Sequence, residues 1–72
     1  MINSNIRNYI SNVLYTRLDF LFFEKYSIPS HDSSAIEANK NEINLLMESL
    51  ACIVGCINYD LVNQIERKYY HD

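Results

Sequence analysis

The sequence predicts an all-α protein, an antiparallel two-helix hairpin whose second helix is the longer and is completed by a partner or by dimerisation. Three observations carry that prediction. Glycine and proline occur once each in 72 residues, too few for a loop-rich or all-β fold. Large apolar residues return at steps of three and four along two long stretches, and no period-two alternation competes with them. The single proline, Pro29, falls between those stretches.

The first helix is expected over about 4–26. Asn3, Ser4 and Asn5 are all good N-cap residues, and Ile2 stands before them as a hydrophobic staple. Ile6, Tyr9, Ile10, Val13, Leu14, Leu18, Leu21 and Phe22 fall at helical spacing, with Arg7, Asn8, Asn12, Thr16, Asp19 and Lys25 on the other side. The run Phe20–Phe23 exceeds what one stripe needs, so Phe20 or Phe23 must lie off the main seam and meet something outside the hairpin.

Residues 27–33 form the connection. Pro29 lacks an amide proton and pushes Ile28 out of helical geometry, and His31, in this polar segment, reads as a solvated loop residue. Ser34-Ala35-Ile36-Glu37 then matches a capping box, opening a second helix expected over about 34–68. Glu37 and Glu42 suit the positive end of its dipole, and Arg67 and Lys68 the negative end. Gly55 in its middle costs about 1 kcal/mol relative to alanine and marks a close approach or a bend. Tyr69, Tyr70, His71 and Asp72 read as a fraying end.

Within that second helix, Glu42 to Val62 is the organising stretch. Ile43, Leu46, Leu50, Ile53, Ile57 and Leu61 make one apolar face. Ala51, Cys52, Gly55 and Cys56 make a second strip of small residues, flanked by Leu45 and Tyr59. A helix apolar over more than half its circumference is covered from two directions, and the first helix covers one. The residues expected to bind a partner are Leu46, Leu50, Ile53, Val54, Ile57 and Leu61 on the second helix, and Phe20 and Phe23 on the first.

Composition narrows the function classes. Seventy-two residues make one domain at most, burying about 60% of its unfolded surface, so reinforcement by oligomerisation or a partner is expected. The net charge is −3, and the basic residues are scattered except for the Arg67–Lys68 pair; a nucleic-acid binder needs a positive stripe. Apolar runs at Phe20–Phe23 and Leu50–Ile57 fall far short of the ~20 residues of a membrane span. The N-terminus has no signal-peptide core, which with two reduced thiols suits a cytoplasmic protein. Cys52 and Cys56, one helical turn apart, read as small buried apolar residues; a zinc site would have to recruit His31 and His71. Neither metal nor cofactor is expected. Two helices do not enclose a pocket with converging titratable groups, so no catalysis is expected. Six tyrosines fit interfaces, where an apolar ring with a polar tip works well.

Met47–Leu61, MESLACIVGCINYDL, resembles the second helix of the small co-chaperones of the type III secretion needle subunit, the YscE/EscE type. Met47-Glu48-Ser49 matches the start of that helix, Ile53-Val54 its aliphatic centre, and Asp60-Leu61 its end. The resemblance implies a cytosolic helical hairpin that binds and stabilises a larger tetratricopeptide-like chaperone. Together the pair would hold the needle subunit unpolymerised before export. The alternative from the residues alone is a homodimeric four-helix bundle, a regulator or antagonist acting through protein contacts.

Overall fold

The computed structural model describes residues 3–70. Its elements are α1 (Ser4–Lys25), α2 (Ser33–Ser49) continuing into one π-helical turn (Leu50–Val54), and α3 (Tyr59–Arg67); no strand occurs among the described residues. The all-α class is as expected, but the second arm is folded.

Asn3 starts α1: its side chain accepts from the Ile6 amide at 2.9 Å, satisfying one of the orphan donors of the first turn. The helix ends at Tyr26, and the Ser27 hydroxyl donates to the Phe23 carbonyl at 2.7 Å. Asp32, not Ser34, caps α2, accepting from the Ala35 amide at 3.1 Å. A carboxylate at a helix N-terminus gains from the dipole as well as from the hydrogen bond, so Asp32 displaces the expected capping box and the helix begins one residue earlier.

The continuous helix expected over 34–68 does not form. After Leu50 the backbone widens to the π pattern, the Gly55 amide donating to the Leu50 carbonyl at 3.0 Å. Gly55 then adopts φ +97°, a left-handed conformation that ends helices and that glycine accepts without steric cost. Three residues on, Asn58 accepts from the Leu61 amide at 3.1 Å and starts α3, with Asp60 in its first turn. Gly55 is a stop and Asn58 a restart. They also separate Cys56 from Cys52, so the two thiols do not share a helical face; both are exposed.

The break lets α3 fold back. Arg17 pairs with Glu42 at 2.9 Å and Asn39 reaches the Leu21 carbonyl at 3.0 Å, so α2 runs antiparallel to α1. Tyr15 meets Asn58 and Lys25 meets Glu66, so α3 runs parallel to α1. The core forms where the three meet: Leu18, Leu21 and Phe22 of α1, Leu46 of α2, Leu50 of the π turn, and Val62 and Ile65 of α3. Leu18 and Leu50 are wholly inaccessible at 0% exposure; burying such a side chain is worth about 1.5–3 kcal/mol.

One polar side chain shares this interior. Asn39 donates through Nδ2 to the Leu21 carbonyl and to Glu24 Oε1, which offsets the cost of its burial and ties α2 to the last turns of α1. Tyr69 and Tyr70 do not fray. Tyr69 packs against the core, edge-on to Phe23 at 5.7 Å, and Tyr70 meets Tyr26 in the same geometry. Ile2, His71 and Asp72, to which the sequence reading gave staple, ligand or fraying roles, lie outside the described residues.

Candidate interaction surface

Two faces of α1 have opposite fates. Leu14, Leu18, Leu21 and Phe22 turn inward. On the far side Ile6, Tyr9, Val13, Thr16, Phe20 and Phe23 follow one another at steps of three, four, three, four and three, and all are exposed. This is the a/d spacing of a coiled-coil seam, held for more than two heptads. Tyr9 stands 70% exposed and Phe23 54%. Thr16 does not interrupt the apolar stripe, because its hydroxyl donates to the Asn12 carbonyl at 2.8 Å and is satisfied within the helix. Where the aromatic run required Phe20 or Phe23 to lie off the main seam, both do. Ile6, Tyr9 and Val13, placed with the core residues by the sequence reading, stand with them outside.

The other side chains expected to meet a partner separate into three groups. Leu46 and Leu50 belong to the core and offer no free surface. Val54, Ile57 and Leu61 are half-buried, packed against the core. Ile53 is exposed on the π turn, 44%, as are Leu45 and Tyr59 on either side of it in the sequence. The structure therefore leaves Phe20, Phe23 and Ile53 exposed, and joins the first two to a stripe that was missed. The signal for it was present: the spacing 6, 9, 13, 16, 20, 23 is a second heptad series interleaved with 14, 18, 21.

Charges border the stripe without neutralising it. The Arg17 guanidinium lies over the Phe20 ring at 5.0 Å while it pairs with Glu42, a cation–π contact that keeps Arg17 at the rim. Asp19 accepts from the Lys68 ammonium and the Tyr69 hydroxyl, and the hydrogen bond from Lys68, then that from Tyr69, hold its carboxyl below the ordinary range. Glu66 accepts from the Tyr26 hydroxyl at 2.6 Å and Lys25 Nζ at 2.9 Å. Partial burial works to raise the Glu66 pKa, but those two donors outweigh it and leave it lowered. Burial, reinforced by Glu66, pushes the Tyr26 hydroxyl up. Both clusters clamp α3 onto the C-terminal half of α1.

A shallow groove opens beside this clamp, floored by Phe22, Ile36 and Ile43 and edged by Lys25, Lys40 and Glu66. Lys25 and Glu66 are already paired with each other there, so the groove presents no free acid–base couple. Among the described residues no three histidine, cysteine, aspartate or glutamate side chains come close enough to hold a metal ion. No described helix is long and apolar enough to cross a membrane. The chain matches no family model, no curated protein and no solved structure.

Proposed function

We propose that the protein works by contact rather than by catalysis: it is a small helical module that lays the outer stripe of α1 against another α-helix. One observation carries this reading, the unbroken series Ile6, Tyr9, Val13, Thr16, Phe20 and Phe23 left open to solvent. A 3,4 spacing of apolar groups is matched by a helix, whose knobs fill the holes between successive side chains. An exposed apolar strip of this length marks an interaction site.

The secretion co-chaperone is the specific form this function takes if the resemblance at Met47–Leu61 carries over. The occupant is then a helix of a larger tetratricopeptide-like chaperone, and the pair keeps a needle subunit unpolymerised in the cytosol. Within Met47–Leu61 the exposed apolar and thiol side chains that such a chaperone would meet are Ala51, Cys52, Ile53, Cys56 and Tyr59. The break at Gly55 means that they present a bent edge and not a straight helical face.

The general reading is tested by placing a photo-crosslinking residue at Tyr9 and, as a control, at Glu37 in the full chain expressed in its own cells. Adducts of defined mass at position 9 and none at 37 are expected. Equal labelling at both positions, or none at 9, refutes the reading. Co-expression with a tetratricopeptide-like chaperone tests the specific form, which requires a soluble 1:1 complex.

A further inference from the structure

We propose that the helix covering the α1 stripe belongs to a second copy of this chain, laid antiparallel about a two-fold axis midway between Val13 and Thr16. The inference rests on the contact reading above and names its partner.

The stripe is complementary to itself when reversed. Its N-terminal half carries Ile6 and Tyr9, its C-terminal half Phe20 and Phe23, and its middle the two small groups Val13 and Thr16. Antiparallel pairing sets Ile6 against Phe23 of the second copy, Tyr9 against Phe20, and Val13 against Thr16. Every layer then joins one residue of each half, and the thinnest layers fall at the two-fold axis. An isologous contact requires this kind of self-matching patch. Parallel pairing would instead stack four phenylalanines at one end, with Ile6 and Tyr9 of both copies at the other.

Charge chooses the same direction. In a parallel pair the seam is flanked by contacts five residues apart, which bring Asp19 beside Glu24 of the other copy, like against like. In the antiparallel pair the flanks bring Asn12 beside Asp19 and Ile10 beside Arg17, and no like charges meet. Opposed helix dipoles favour it as well.

The exposed area is of the right size. The chain exposes 5319 Å², whereas a compact monomer of its mass exposes about 4,700 Å². That chain-wide surplus of about 600 Å² is of the order of the ~800 Å² that each partner buries in an interface of standard size. The ion pairs of Arg17, Lys25 and Asp19 hold α2 and α3 along the flanks of α1, and although Tyr69 sits edge-on to Phe23 at the C-terminal end of the stripe, Phe23 stays 54% exposed.

Sedimentation equilibrium of the purified chain at micromolar concentration should give twice the 8.5 kDa chain mass. Val13→Glu should weaken association on the order of 100-fold, since it buries an unpaired charge at the axis, with helical circular dichroism kept. Direction is read from disulfide trapping in a Cys52→Ser/Cys56→Ser background. Chains carrying Ile6→Cys mixed with chains carrying Phe23→Cys should form a mixed covalent dimer, and either alone should not; this result stands even if Val13→Glu fails to fold. A monomer even at about 100 µM, where any association with Kd in the micromolar range would be visible, overturns the proposal. So does trapping by either variant alone, the signature of parallel pairing. A monomer whose position-9 crosslink in cells is to a different protein overturns the second copy while leaving the contact function standing.

Discussion

The inner and outer faces of α1 differ little in composition and entirely in circumstance. Leu14, Leu18 and Leu21 repeat by heptad on one side, and Ile6, Tyr9, Val13, Phe20 and Phe23 on the other. The inner face is closed by α2, the π turn and α3, while the outer face meets water. The difference lies in what folds back upon each face. It teaches that hydrophobic period assigns a residue to a stripe, and that only the remaining chain decides which stripe becomes core.

The sharpest way to break that comparison is to truncate one residue on each face. Leu18→Ala should cost about 2–5 kcal/mol, the transfer term plus the cavity, and in so small a domain that removes most of the stability. Phe20→Ala, measured by urea unfolding at concentrations too dilute for association, should stay within about 0.5 kcal/mol. Equal costs would mean that the two faces are not inside and outside.

Asn39→Ala is the next largest. It leaves the Leu21 carbonyl and Glu24 without their donor on the buried side, at about 1–3 kcal/mol. Its signature is faster hydrogen exchange in the last turns of α1, with the Tyr9 end of the helix unaffected.

Gly55→Ala tests by its sign what closes the inner face. Nothing lies within 4 Å of an added Cβ, so only the left-handed backbone matters, and the variant should lose about 1 kcal/mol. Were 34–68 a single straight helix, the same substitution would gain about 1 kcal/mol. Urea midpoints of the two chains decide between them.

The smallest effect concerns the clamps that hold α3 down. Asp19 and Glu66 have pKa values lowered by folding, so their contribution is complete above the unfolded values and is lost as pH falls through the lower folded ones. The urea midpoint should therefore begin to fall below about pH 4.5. Asp19→Asn combined with Glu66→Gln should reduce that acid dependence. An unchanged pH profile in the double variant would place the acid sensitivity elsewhere.

Much of the molecule was legible in the residues, unevenly. The α1 boundaries and the turn at Pro29 follow from local chemistry, cap and imino acid, and agree with the structure to within a residue. Gly55 was readable as a bend, but reading it as a stop needed Asn58 and Asp60 to be weighed with it as a new start. A mid-chain glycine is tolerated in a helix at about 1 kcal/mol, so local preference alone did not decide. The stripe on α1 was hidden for another reason: two interleaved heptad series in one helix look like a single broad apolar face until one of them is known to be covered. Tyr69 was misjudged because its partners, Asp19 and Phe23, are some fifty residues away in sequence.

By itself, then, the order of residues determined the helical class, where α1 begins, and where the first connection falls. Each of those depends on groups a few positions apart, whose preferences act before any distant contact is made. The tertiary arrangement alone decided that α3 returns along α1, that Leu46 and Leu50 are interior, and that Phe20 and Phe23 are not. Burial belongs to the whole packing, and a side chain becomes core only when something from elsewhere in the chain arrives to exclude water from it.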